Sequence, residues 1–227
     1  MTDRELPDWR TFIQNNTKPM APPLVPEITL HLAEESLPIW RKTEEELGEI
    51  NVPPPFWAFA WAGGQALARY VLDHPLVVAN RNVLDLGSGS AIVAIAAMKA
   101  GASGAVANDP DEIANIAAQL NAEQNGVDIV SEPSDVLDRD PTAYGAILVG
   151  DLFYEEQLTA RVLAFCKQAD TAGVPVLIGD PNRNFCPTDQ LERCASYAVP
   201  VTRELEDSEI KSTSVWQLAR DTASQAR

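Results

Sequence analysis

From about residue 56 onward, short Val-, Ile- and Leu-rich runs alternate with longer Ala-rich stretches, the pattern expected of βαβ units that build a parallel sheet. It predicts strands at 82–86, 104–109, 127–130, 145–150 and 174–179, and helices at 63–73, 90–100, 111–125, 155–170 and 187–195. Two further strands follow, near 197–205 and 212–219, joined by the acidic turn Glu206-Asp207-Ser208-Glu209. An ordinary dinucleotide-binding sheet would continue its βα alternation here. The ending instead predicts an antiparallel hairpin added to a mostly parallel, Rossmann-like α/β sheet with helices on both faces.

The first part of the chain has a different texture. Prolines at 7, 19, 22, 23, 26, 38, 53, 54 and 55 break it into short pieces. Residues 1–55 are therefore expected to form a Pro-rich, partly helical extension outside the sheet, with helical stretches over 30–40 and 41–47 and little order in the first twenty residues. Residues 56–227 form the expected catalytic domain.

Composition narrows the partners. The 227 residues include 17 Lys+Arg against 33 Asp+Glu, a formal net charge of −16, which repels nucleic-acid backbones and anionic membrane surfaces and favours a cationic partner. No apolar run approaches the roughly 20 residues that span a bilayer. The N-terminus lacks the marks of a secretory or transit peptide, so a cytoplasmic protein is expected; a monomer is expected as well. Cys166, Cys186 and Cys194 show no metal-ligand spacing, and His31 and His74 stand alone, so no metal site is expected.

The strongest local motif is Val83-Leu-Asp-Leu-Gly-Ser-Gly-Ser-Ala-Ile-Val93, an apolar strand that enters a glycine turn and then a helix. Gly87 and Gly89, with Ser88 between them, allow a tight turn against which a nucleoside can lie. Asp85 precedes the loop, where it can accept hydrogen bonds from an ammonium group or hold the loop in shape. Ala91 stands where a dinucleotide motif has its third glycine. The pattern favours a cationic, phosphate-free nucleoside such as S-adenosylmethionine over a nicotinamide dinucleotide.

Other candidates fall at the carboxyl ends of the later strands, where ligands of such sheets bind. Asp109 is positioned to take ribose hydroxyls, while Asp111 can cap the helix that follows. Asp135 is a candidate for the exocyclic amine of adenine, or a solvent-exposed turn residue. In Asp151-Leu-Phe-Tyr-Glu155 a carboxylate at Asp151 can orient an attacking amine, with Tyr154 lining its channel. Ahead of the first strand lies an aromatic cluster from which Trp57 and Trp61 can cover a sulfonium. Phe56 and Phe59 read as core, and Gly63 and Gly64 permit close approach.

Taken together, Trp57-Ala-Phe-Ala-Trp61, Val83–Ser90, Asn108-Asp109 and Asp151–Glu155 resemble the seven-strand protein lysine methyltransferases, above all those of the electron transfer flavoprotein β subunit. Asp151-x-x-Tyr154 matches the acid-x-x-aromatic element of that group. The resemblance covers about residues 50–220 and implies a seven-stranded methyltransferase sheet, S-adenosylmethionine as cofactor and a protein lysine as acceptor. It further implies the flavoprotein β subunit as partner. A small-molecule amine methyltransferase and a catalytically silent S-adenosylmethionine-binding module are the alternatives.

Overall fold

A computed structural model describes residues 8–34, 38–39, 41–43, 54–201 and 209–219. Its centre is a seven-stranded sheet of order β5-β4-β3-β6-β7-β9-β8. The strands are β3 (Asn82–Leu86), β4 (Gly104–Asn108), β5 (Val130–Glu132), β6 (Ala146–Gly150), β7 (Val176–Asp180), β8 (Leu191–Pro200) and β9 (Ile210–Leu218). Strands β3 to β7 are parallel, β9 runs antiparallel to β7, and β8 pairs antiparallel with β9. The mostly parallel sheet and its terminal hairpin are those the chain pattern predicts.

Parallel strands covered on both faces carry continuous apolar runs, and β6 and β7 are buried along almost their whole length for that reason. Helices α2 (Ala62–Asp73) and α3 (Ile92–Lys99) pack on one face against Val83, Leu148 and Leu177. Helix α5 (Glu156–Thr171) covers the other, where Val162 and Phe165 meet Leu84, Ile147 and Ile178. Helix α4 (Glu112–Gln124) follows β4, and Asp111 caps it by accepting the Ile113 N–H at 2.8 Å.

The N-terminal residues are woven into these layers. Helix α1 (Trp9–Asn16) sets Trp9 and Ile13 against Ile113, Ala117 and Leu120 of α4 and against Trp57. Strands β1 (Lys18–Met20) and β2 (Leu30–Leu32) form a separate antiparallel pair, so residues 9–16 and 18–20 hold regular structure where little order is expected, while residues 1–7 lie outside the described residues. Residues 30–32 are a strand where a helical stretch is expected. The His31 N–H donates to Asn121 Oδ1 at 2.7 Å, a tertiary contact that outweighs local propensity. Most of the 41–47 stretch lies outside the described residues.

Three other boundaries differ. The strand expected at 127–130 sits at Val130–Glu132. The helix expected at 187–195 is a short 3₁₀ turn, Thr188–Gln190, followed directly by β8. The register shift between Arg193 and Ala195 disrupts the two-residue alternation that identifies a strand in sequence. Consequently the hairpin strands begin earlier than expected, at Leu191 and Ile210; the Val201 N–H to Glu209 carbonyl bond closes their open end at 3.0 Å, and residues 206–208 of the turn lie outside the described set. Among the described residues no helix is long and apolar enough to cross a membrane.

Candidate active site

The carboxyl ends of β3, β4 and β6 open onto a cavity of about 870 Å³, within the size range of small-molecule sites. Asp85, Gly87, Ser88, Gly89, Asp109, Asp135, Asp151, Tyr154, Trp57 and Trp61 all line it, so every residue singled out in the sequence for binding or catalysis borders one space.

Asp85 is buried at the end of β3, and its Oδ2 accepts the Ala94 N–H at 2.9 Å, tying the strand to the first turn of α3. Burial raises its carboxyl to about 8, and the nearby Asp109 charge adds to the effect. The loop beyond it turns sharply, with φ of +64° at Gly87 and +48° at Gly89. A Cβ at Gly87 would come within 2.5 Å of Leu152 Cδ2. Ala91 adopts φ 60° despite its Cβ, so alanine keeps the left-handed bend just before α3. The Ser88 N–H donates to the Asn108 carbonyl at 2.9 Å, while its buried Oγ has no hydrogen-bond partner among the described residues.

Asp109 links this loop to the next strand. Its Oδ2 accepts the Gly89 N–H at 2.9 Å and its Oδ1 accepts the Asp111 N–H at 3.0 Å. Each carboxylate oxygen keeps a further acceptor position. Burial, the largest influence, raises its pKa although both hydrogen bonds act in the opposite direction. Asp135 lies at the more exposed side of the cavity, accepting the Leu137 N–H at 2.9 Å and pairing with Arg161 at 2.9 Å. These contacts lower its pKa, the Leu137 hydrogen bond most.

Asp151 follows β6 with φ 59°, a left-handed conformation that costs an L-residue energy and that aspartate tolerates better than most. Its Oδ2 accepts the Gly64 N–H at 2.8 Å, and its Oδ1 accepts from Arg183 Nη2 at 2.7 Å and Nε at 3.2 Å. Burial pushes the carboxyl up to about 6 against the opposing pull of the Arg183 charge. The guanidinium of Arg183 also lies 5.5 Å from the Trp61 ring centroid. Trp61 is fixed in turn by its Nε1–H, which donates to the Phe56 carbonyl at 2.9 Å.

These contacts require α2 to start against the sheet. A Cβ at Gly63 would clash with the Gly179 carbonyl and come within 2.6 Å of Asp151 Oδ2, and one at Gly150 would lie 3.2 Å from the Gly64 Cα. Tyr154 is half exposed, its ring 6.0 Å from that of Phe56, whereas Phe153 is fully buried. Phe59 packs in the core, but Phe56 is 45% exposed on the cavity wall, a correction to its reading as core. Phe56 opens the short 3₁₀ turn Phe56–Ala58, which turns Trp57 and Ala58 into the core and leaves Phe56 on the open side. Trp57 is 1% exposed and belongs to the core as well as to the wall.

Arg183 and Arg161 were not singled out from sequence. Asp180-Pro-Asn182-Arg183 repeats the form of Asn108-Asp109-Pro110, an acid ending a strand before a proline turn, and this signal marks the β7 loop as part of the site. The Arg183 N–H donates to Asp180 Oδ1 at 2.8 Å within that turn. Among the described residues no group of His, Cys, Asp or Glu is arranged to hold a metal ion.

Sheet order, terminal hairpin and glycine crevice together define a Rossmann-like methyltransferase fold. A Pyrococcus horikoshii protein described as an RNA methyltransferase shares it with a TM-score of 0.54 at 11% identity, over 75% of this chain and 90% of that one. A methyltransferase solved in complex with SAH matches with a TM-score of 0.50 at 14% identity, over 70% of this chain and 50% of that one. The ribosomal protein L11 methyltransferase (PrmA) family model matches residues 65–145.

Relatives from Danio rerio and Homo sapiens are among those that carry the name electron transfer flavoprotein beta subunit lysine methyltransferase. The one from Danio rerio is 38% identical over 217 residues, covering 92% of this chain and 83% of its own length. That from Homo sapiens is 34% identical over 219 residues, covering 92% and 82%. The chain belongs to this lysine methyltransferase family.

Proposed function

We propose that the chain transfers methyl groups from S-adenosylmethionine to lysine side chains of the electron transfer flavoprotein β subunit. The observation that carries this reading is the row of carboxyl groups on the cavity wall, with no arginine or lysine left unpaired among the described residues that the wall presents. Asp85, Asp109, Asp135 and Asp151 line it, and the two arginines there, Arg161 and Arg183, are both ion-paired. Such a wall suits a cationic nucleoside without phosphate and opposes a pyrophosphate. The relatives' name supplies the substrate.

S-adenosylmethionine supplies an electrophilic methyl group on a sulfonium centre. Asp109 is assigned to the ribose hydroxyls, Asp135 to the adenine amine and Asp85 to the amino-acid ammonium. Gly87, Ser88 and Gly89 give the backbone surface on which the nucleoside rests, and Trp57 and Trp61 give aromatic surface beside its positive charge.

A lysine with its ordinary pKa of about 10.4 is protonated near neutrality and must lose that proton before it attacks. Partial burial beside Tyr154 and Phe56 disfavours the ammonium form, and the released proton goes to water. Asp151 then accepts an N–H of the neutral amine and holds its lone pair in line, so the acceleration comes chiefly from positioning.

The test is incubation of the enzyme and S-adenosylmethionine with purified electron transfer flavoprotein β subunit, followed by peptide mass spectrometry. Methylated lysines are expected, together with calorimetric binding of S-adenosylhomocysteine. An unmodified β subunit under conditions where the nucleoside binds would refute the substrate; absence of nucleoside binding would refute the activity.

A further inference from the structure

Asp151 is held from two sides by groups that sequence separates widely: the Gly64 N–H on Oδ2 and the Arg183 guanidinium on Oδ1. Arg183 is itself fixed. Its backbone N–H is bonded to Asp180, its carbonyl accepts the Cys186 N–H at 3.0 Å, the preceding Asn182 adopts φ 66°, and its guanidinium lies over Trp61. The pair is largely buried, with side-chain exposures of 20% for Arg183 and 11% for Asp151. An ion pair this enclosed is screened much less than one on the surface.

We propose that Arg183 is a positioning residue for methyl transfer: it clamps the Asp151 carboxylate in one orientation and cancels its charge, so that the acceptor lysine meets a hydrogen-bond acceptor and not a bare anion. The proposal rests on the lysine methyltransferase reading above.

The physical argument concerns which form of lysine the site favours. An unpaired carboxylate within a few ångströms stabilises an ammonium and raises its pKa, which opposes the loss of the proton that must precede attack. Pairing with Arg183 leaves the carboxylate oxygens able to accept an N–H while the local charge sums to zero. Without Arg183 the outcome is unfavourable in either protonation state. An ionised Asp151 holds the lysine as ammonium, and a protonated Asp151 no longer offers the same acceptor. Both move the rise of activity to higher pH.

Among the described residues the charged groups acting on Asp151 are Arg183 and Asp180, from β7 and the loop behind it, while α2 presents the Gly64 N–H. Burial raises the Asp151 carboxyl and Arg183 lowers it, whereas Asp180 raises it further. The two side chains thus make opposite predictions: Arg183→Gln raises the Asp151 midpoint and Asp180→Asn lowers it.

Two measurements test this. Carboxyl-detected NMR of ¹³C-labelled protein without any ligand, assigned with Asp151→Asn, follows the Asp151 titration directly. A midpoint of about 6 is expected for the native protein. It should lie at least about one pH unit higher in Arg183→Gln and below the native value in Asp180→Asn. The Asp180 variant retains an Oδ1 acceptor for the Arg183 N–H and serves if Arg183→Gln does not fold. A midpoint unmoved in the folded variants would overturn the clamp.

The second measurement is kcat against pH with the protein substrate. Arg183→Gln is expected to lose about tenfold at pH 7 and to recover most of that at pH 9. Arg183→Lys keeps the positive charge but not the guanidinium fork, so it restores the native profile only in part, and S-adenosylhomocysteine affinity stays within about twofold in both variants. A uniform loss at every pH would mark Arg183 as merely structural and sink the proposal. A native enzyme that methylates no lysine at all would instead overturn the function on which it rests.

Discussion

The carboxylate of Asp109 accepts the Gly89 N–H at 2.9 Å, so the end of β4 holds the glycine loop that leaves β3. One side chain therefore fixes the loop and borders the cavity. The second bond, from the Asp111 N–H, joins the same carboxylate to the cap of α4.

Replacing Asp109 with alanine frees two backbone donors and the loop together. Hydrogen bonds to charged groups are worth about 1.5–3 kcal/mol each, so S-adenosylhomocysteine binding should weaken at least tenfold, with a lower melting temperature. Asp109→Asn, which retains one acceptor, should fall between. Calorimetry and thermal melting check both, and unaltered affinity in the alanine variant would contradict the assignment.

Asp85 carries a pH signature. Its folded-state pKa of about 8 lies above the ordinary 3.8, so its contribution to stability is complete below about 3.8 and is lost as pH rises through 8. At pH 7 the carboxyl of the unliganded protein is mostly protonated, and a bound ammonium favours its ionised form. Binding of S-adenosylhomocysteine at pH 7 should thus release protons, seen as heats that differ between phosphate and Tris buffers. Asp85→Asn should abolish the difference. Equal heats with the native protein would show that Asp85 does not meet the cation.

Gly63→Ala tests the approach of α2 to the sheet. The new Cβ meets a backbone carbonyl at Gly179, which cannot swing aside, and crowds the Asp151 carboxylate. Overpacking of this kind costs about 1–3 kcal/mol, and turnover should fall with it. Gly173→Ala meets no atom within 4 Å and bears only the strain of φ +80°, so it should leave kcat unchanged. Denaturant unfolding and turnover measured side by side separate the two.

The two tryptophans should part company. Trp57, 1% exposed between α1 and α4, should cost about 3–5 kcal/mol on replacement with alanine. Trp61 is partly exposed and carries the Arg183 guanidinium, so Trp61→Ala should cost less stability and more activity. Chemical denaturation together with kcat decides, and similar stability losses in both would argue against the distinction.

The parallel strands β3, β4, β6 and β7 and helices α2 to α5 were legible in the sequence to within a few residues. Each is written locally, in apolar runs punctuated by glycines and by acids at strand ends. Because every parallel strand opens its carboxyl end on the same edge, the acids Asp85, Asp109 and Asp151 had to gather there once the alternation was recognised. Phe56 and the expected helix at 187–195 went astray where local pattern conflicted with what lay across from it. The β8 register shift hid an alternation that pairing with β9 supplies.

What the sequence by itself determined, then, is the sheet, the glycine turn and the row of carboxylates, since these depend on periodicity and on residues a few positions apart. Only the tertiary structure decided which charges are paired and which face solvent. Gly64 and Asp151 stand 87 positions apart, and Asp151 and Arg183 stand 32 apart. Their meeting depends on how closely α2 packs on β6 and β7 and on the turn after β7. A buried carboxylate takes its character from its desolvation and its partners, and both are properties of the packed molecule.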